Sequence, residues 1–112
     1  MTDRGTLWER ISSSALTLEA IKSLHVPSQR FRISPARYPA GASFSGESRA
    51  GRVYVLAGSC RYAFGVTEFE LVVGAFADVP EGGYQFQTVG SHEVEIVRVF
   101  ELPREFWSNE PA

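Results

Sequence analysis

The sequence has few of the residue types from which disulfides and metal centres are built. Its 112 residues include one cysteine, Cys60, and two histidines, His25 and His92. A site of three histidines is therefore impossible within one subunit, and Cys60 has no partner for an internal disulfide. Because disulfides occur mainly in oxidising compartments, this cysteine content favours a cytoplasmic protein.

Long apolar runs and a strong net charge are also lacking. No stretch approaches the roughly 18 apolar residues of a transmembrane helix, and the opening segment MTDRGTLW lacks the apolar core of a secretory signal. The net charge is −2, from 11 Lys and Arg against 13 Asp and Glu. With no basic run to contact phosphates, we expect neither a nucleic-acid partner nor a membrane partner.

What the chain does contain fits one globular domain, because 44% of its residues are hydrophobic. One segment near the start predicts a short helix. Its apolar stripe consists of Leu16, Leu18, Ile21 and Leu24. Thr17 can cap the first turn and Pro27 cannot continue the helix. A helix of this length needs to pack on another part of the protein.

From residue 31 onward the pattern changes to short segments of β-forming residues. The predicted strands cover residues 31–35, 52–57, 61–65, 67–73, 84–89 and 92–101. Residues 74–83 have turn chemistry around Pro80 and Gly82. About eight strands at this spacing indicate a sandwich or barrel. We expect an N-terminal arm (1–30), a barrel (31–102) and a tail (103–112) in which Phe106 and Trp107 can dock.

The segment from Gly74 to Gly82 has a glycine, five residues, a proline, one residue and a glycine. It resembles the second signature of the cupins. The run ending at Gly58 resembles the strand and glycine that close the first cupin signature. The resemblance covers about residues 31–100. It implies an all-β fold, a cupin-type antiparallel β-barrel (jelly-roll) with one short N-terminal helix.

The resemblance also implies a metal site, but this sequence lacks the ligands for it. Metal-binding cupins carry three histidines and a glutamate in the two signatures. The corresponding positions here are Phe44, Gly46, Gly51 and Gln85. A shift of one residue in the first signature gives Ser45 and Glu47 instead. Since transition metals need converging imidazole, thiolate or carboxylate donors, we expect no metal and no cofactor.

The glutamines are candidates for ligand binding in the barrel mouth. Gln85 falls where the family has an inward-facing ligand, and Gln87 lies on the same strand face. Their amides can bind a polar ligand, or they can be buried and satisfied by the backbone.

Four further positions complete the candidate site. Phe44, with Gly46 and Gly51 beside it, either borders an apolar cavity or fills the volume of the missing metal site. Small barrels usually fill their interior with side chains, which favours the second interpretation. Tyr54 joins the candidates because tyrosines are common at pockets and subunit interfaces.

Three functions fit these features. The first is a non-catalytic module, regulatory or immunity-type, that binds a small polar ligand or a protein partner. The second is a metal-independent isomerase or epimerase with His92 as the base. The third is a metalloenzyme with relocated ligands such as Glu47, Gln85 and His92. The resemblance further implies a homodimer, because cupins commonly pair through edge strands and N-terminal segments.

Two other features are expected to be structural. Glu68 and Glu70 share one strand face, where solvated charges on an antiparallel sheet are the common case. His25 follows the predicted helix, where a histidine suits the negative end of the helix dipole.

Overall fold

The computed structural model describes residues 2–103. Its strands are β1 Thr2–Asp3, β2 Thr6–Leu7, β3 Phe31–Tyr38, β4 Ser43–Ser48, β5 Gly51–Ala57, β6 Ser59–Phe64, β7 Thr67–Val72, β8 Ala75–Val79, β9 Gly82–Val89 and β10 Val94–Glu101. The helix α1 spans Leu18–Leu24, and 3-10 turns cover Trp8–Arg10 and Ser28–Arg30. The predicted all-β class with one short helix is confirmed.

The strands form two five-stranded sheets. Sheet A has the order β1-β7-β6-β9-β4 and sheet B the order β2-β8-β5-β10-β3. Every pairing is antiparallel except that of β1 with β7. Strands β5 and β6 belong to different sheets, so the turn at Gly58 is a corner between the layers, where its φ of +74° suits a glycine. The arrangement is that of a jelly roll.

The space between the sheets, which we call the cup, holds the main core. Side chains alternate along each strand, so one set from each sheet points into the cup. Tyr62, Leu71 and Phe86 from sheet A meet Val55 and Ile96 from sheet B, and all five are buried. The cup is therefore the hydrophobic centre of the fold.

Sheet B is also buried on its outer face, by the N-terminal arm. Tyr54, Val97 and Val99 point away from the cup and pack with Trp8 and Ile21. Ile21 is the buried residue of α1, as the predicted apolar stripe requires. The Thr17 hydroxyl accepts a hydrogen bond from the Ala20 amide at 3.1 Å and caps the helix, as predicted.

Sequence patterns predicted six of the ten strands and missed β1, β2, β4 and β8. Strands β1 and β2 have two residues each, too few to show a periodic pattern. Strand β4 consists of three serines, a glycine and a glutamate beside Phe44, a composition with little β signal. Strand β8 lies inside the segment 74–83 that was predicted as turn, and this prediction is wrong for residues 75–79. Four of its five residues are buried, so it lacks the alternation of a half-exposed strand. Gly74 lies in the turn before β8 and Gly82 is the first residue of β9, and both have a positive φ, +86° and +135°.

The division into arm, barrel and tail remains a prediction. Phe106 and Trp107 lie outside the described residues. Among residues 2–103, no helix has the length and apolar character needed to cross a lipid bilayer.

Candidate functional site

Two of the positions that the sequence resemblance assigned to metal ligands, Phe44 and Gly46, lie among aromatic rings in the cup. Phe44 and Gly46 lie on β4 and face the cup, and the Phe44 ring stacks on Phe86 at 4.8 Å. A Cβ atom on Gly46 would lie 2.8 Å from the Tyr84 hydroxyl oxygen, so the Tyr84 ring covers this glycine. These rings support the interpretation that side chains fill the vacated volume.

Gly51, on β5 of sheet B, also lies against an aromatic ring. A Cβ atom there would lie 2.5 Å from Cδ1 of Phe100 and 2.4 Å from the Val99 carbonyl oxygen. The glycine is needed because the neighbouring strand and its ring approach so closely. Gly51 therefore allows tight packing of β5 against β10.

The glutamines point away from the cup, contrary to expectation. Gln85 and Gln87 are exposed on the outer face of sheet A, while Tyr84 and Phe86 between and beside them face inward. A shift of one residue exchanges the two faces of a strand. The prediction that the Gln85 side chain points into the barrel is therefore wrong. Ligand binding by the two glutamines remains a prediction.

The cup does not fit a divalent transition ion. Its polar groups near the ligand positions are phenols and the guanidinium of Arg98, which offers no lone pair to a cation. Among residues 2–103, no three His, Cys, Asp or Glu side chains are grouped closely enough to hold a metal. Glu47 and His92, proposed as relocated ligands, belong to no such group.

Arg98 is an unusual residue to find in this core. It lies on β10 and faces the cup, where its Nε donates to the Tyr62 hydroxyl at 3.0 Å and its Nη1 donates to the Tyr38 hydroxyl at 2.9 Å. Its Nη2 is buried and has no hydrogen-bond partner. Burial raises the pKa of Tyr62, so this phenol stays neutral and does not balance the charge.

A second candidate site lies outside the cup, between the N-terminal arm and sheet B. We call it the helix groove; its volume is about 540 Å³. Its apolar lining comes from Ile11, Leu24, Ala50, Gly51, Val79 and Val99. Its polar lining comes from His25, Arg52, Asp78 and Glu101. Ile11 and Leu24 are 49% and 47% exposed, so apolar surface is open to a ligand here.

A chain of hydrogen bonds runs along the polar side of the helix groove. His25 Nε2 lies 2.8 Å from the Tyr54 hydroxyl, which Arg52 Nη1 approaches at 3.5 Å. Arg52 Nε donates to Asp78 Oδ1 at 2.7 Å. The Tyr54 hydroxyl thus lies between the His25 imidazole and the Arg52 guanidinium, and the tautomer of His25 decides which partner of the His25–Tyr54 bond donates. The Arg52 guanidinium also lies over the Phe76 ring, 4.6 Å from its centre.

The environment keeps both ends of the His25–Tyr54 bond neutral. Burial, and then the positive charge of Arg52, lower the pKa of His25. Burial also raises the pKa of Tyr54. At neutral pH the pair therefore consists of an uncharged imidazole and an uncharged phenol.

The candidate residues from the sequence thus separate into three places. Phe44 and Gly46 face the cup. Gln85 and Gln87 lie on the outer face of sheet A. Gly51 lines the helix groove, and Tyr54 lies directly beneath it. Sequence analysis missed His25 as a partner of Tyr54. The two residues are 29 positions apart, and no local pattern joins a helix end to a strand.

The remaining candidates lie on the surface. His92 is exposed in the bend before β10, so the geometry required for the His92-based isomerase is not present. Glu68 and Glu70 lie on the outer face of sheet A, where Arg61 approaches them at 3.5 and 3.2 Å. The carboxylates are thus partly exposed and paired with Arg61 on the sheet surface.

Comparison with known proteins places the fold. The Cupin_2 domain of an XRE family transcriptional regulator from Enterobacter cloacae superposes with a TM-score of 0.60 at 15% identity, over 69% of this chain and 86% of that one. The fold is that of a cupin. The cupin domain of Cnp3 from Schizosaccharomyces pombe gives 0.57 at 20% identity, over 70% of this chain and 59% of that one.

The cupin fold alone leaves the activity open. A predicted oxalate decarboxylase from Thermotoga maritima also superposes, with a TM-score of 0.53 at 15% identity, over 78% of this chain and 76% of that one. No family model and no curated protein matches this cupin-fold chain. Since structural neighbours include a regulator domain and a predicted enzyme, function has to be argued from the sites.

Proposed function

We propose that this cupin-fold protein is a metal-free, non-catalytic module that binds a small, uncharged, polar molecule in the helix groove. The observation that carries the proposal is the chain from His25 through Tyr54 and Arg52 to Asp78 along one side of an open hollow. A hollow of about 540 Å³ is within the range of small-molecule sites. Its apolar lining with a few convergent polar groups also matches such sites.

Charge balance indicates the class of ligand. Arg52 is already paired with Asp78 at 2.7 Å, and the remaining charged residue of the lining is Glu101. An anion would meet this carboxylate, and a cation would compete with Arg52 for Asp78. An uncharged molecule with hydroxyl or amide groups can use the imidazole, guanidinium and carboxylate without an unpaired charge.

The bonding of His25 supports a binding role over a catalytic one. A general base needs a free lone pair within reach of the substrate. His25 Nε2 is already engaged in a hydrogen bond with the Tyr54 hydroxyl, and Tyr54 itself is buried. The pair is suited to holding α1 against sheet B and to presenting a fixed polar side of the groove.

The cellular setting remains part of the proposal. The single cysteine supports a cytoplasmic protein. Within the described residues, β3 and β4 are each paired on one side only, at the same edge of the two sheets. Such edges support self-association into a homodimer.

The test is a titration of the full chain with uncharged polyols, amides and nucleosides, followed by two-dimensional NMR. We expect at least one compound class to shift the amide signals of Leu24, Gly51 and Arg52 in a saturable manner. The variant R52Q should weaken binding about five- to twentyfold, since it removes charged hydrogen-bond donors. R61Q is the matched control, because Arg61 also pairs with carboxylates but lies on sheet A.

Equal weakening by R52Q and R61Q would overturn the assignment of the site. Failure of all neutral compounds, together with capture of a defined protein through α1 and Arg52, would instead favour a protein partner. The detection of turnover of a bound compound would contradict the non-catalytic role.

A further inference from the structure

The cup, which is separate from the helix groove, contains an arginine whose charge has no partner in the described residues. Arg98 carries its charge into the core, and among residues 2–103 no carboxylate lies within 4 Å of it. The other buried guanidinium nitrogen without a hydrogen bond, Arg61 Nε, has Glu68 at 3.5 Å. Arg98 is thus the partly buried cation without a counter-charge in the described part of the chain, which is unfavourable.

The groups around Arg98 are all arranged as donors. The hydroxyl oxygens of Tyr38 and Tyr62 accept from the guanidinium, so each phenol still has its own proton to donate. No described residue accepts either proton. Together with Nη2 of Arg98, three donors lie together around one positive charge, and none of the three has an acceptor among residues 2–103.

We propose that the cup binds a small monoanion, such as a carboxylate, at Nη2 of Arg98, with the hydroxyls of Tyr38 and Tyr62 as additional donors. An anion supplies both the missing acceptor and the missing charge. Because Phe44, Tyr84 and Phe86 fill much of the cup, the site takes an anion the size of formate or acetate.

The edge formed by β3 and β4 gives the route of entry. These strands are the last of their sheets, so no backbone ladder closes the cup between them in the described residues. Tyr38 and Phe44 lie on these two strands, with ring centres 5.0 Å apart, and both are partly exposed. Since Nη2 is buried, an anion enters by displacing the Tyr38 ring from this contact.

The test uses acetate and formate as probes and acetamide as the neutral analogue of acetate. Ionic strength is held constant with a sulfonate buffer salt that is too large for the cup. We expect acetate and formate to shift the Arg98 Nε–H signal in a saturable manner and to raise the melting temperature with concentration. Acetamide should do neither.

Matched variants locate the site. Y38F and Y62F each remove one donor and keep the ring, and each should weaken acetate binding about tenfold. Y84F is the control, since Tyr84 faces the same cup but has no hydrogen bond to Arg98. The phenylalanine variants keep the test valid even if changes at Arg98 prevent folding.

Three results would overturn the proposal: equal responses to acetate and acetamide, no saturable shift at any acetate concentration at which the chain stays folded, or equal weakening by Y84F and Y38F. Because R52Q does not touch the cup, it should leave acetate binding unchanged. The outcome is therefore independent of that for the helix groove.

Discussion

At the scale of single residues, His25 links the helix groove to a measurable pH dependence. Its pKa is lowered in the folded protein, so between the usual value near 6.5 and the lowered value the unfolded chain binds more protons. The contribution of His25 to the free energy of unfolding should therefore be fully present above about pH 6.5. It should fall as the pH drops below that value, with a slope below one proton per pH unit.

Urea unfolding between pH 7.5 and 5.5 checks this prediction. The variant H25N should lose the slope in this range, and H92N should keep it, because His92 is exposed. A slope that survives in H25N would show that another group controls the pH dependence.

Close packing at Gly51, between β5 and β10, gives a second residue-scale prediction. G51A places a methyl group against the Val99 carbonyl and the Phe100 ring, at 2.4 and 2.5 Å. We expect a loss of about 1–3 kcal/mol in the free energy of unfolding, as for other overpacked sites. G83A is the control, since its nearest contact would be Glu47 at 3.6 Å, and it should change stability by no more than about 0.5 kcal/mol. Equal losses in both variants would contradict the close packing of β5 and β10.

At the scale of elements, α1 supports the helix groove because Leu24 and His25 stand at its C-terminal end. T17A removes the cap that accepts from the Ala20 amide and should cost about 1 kcal/mol. For a domain of this size that corresponds to a melting temperature lower by about 4–8 °C. S23A, on the exposed side of the same helix, should leave the melting temperature nearly unchanged. If T17A behaves like S23A, the cap contributes little to the attachment of the arm.

Some secondary-structure elements could be predicted from sequence patterns, and others could not. The helix, its cap and the strands with alternating residues were predictable, since local periodicity and side-chain chemistry specify them. Strand β8 was not, because burial on both faces removes the alternation and Gly74 and Pro80 border it closely. The glycines in the signature were correctly placed because their positive φ is a local requirement.

At the scale of the whole molecule, the candidate site was only partly predictable. Phe44 and Gly46 lie in the cup, and their role in ligand binding remains a prediction. The direction of Gln85 was predicted wrongly, because one residue of register decides which face of a strand a side chain occupies. The bond between His25 and Tyr54, and the contacts of Arg98 with Tyr38 and Tyr62, join distant segments. Such contacts depend on how the sheets and the arm pack, which no local pattern specifies.

The homodimer remains a prediction at this scale. Light scattering at micromolar concentration should give twice the mass of one chain. Charged residues introduced on the unpaired side of β4, as in S45K, should shift the population toward the monomer. A monomer at all concentrations would contradict the prediction and leave both proposed sites unaffected, since each is built from one chain.

In the proposed function, neutral ligands bind outside the cup, in the helix groove. The most direct measurement is the map of amide shifts caused by the tightest neutral compound on the isotope-labelled full chain. We predict that the largest shifts fall on Leu24, His25, Gly51 and Arg52, and that R52Q reduces them. Shifts confined to cup residues such as Phe44 and Gly46, or no saturable shifts with any neutral compound, would contradict the account.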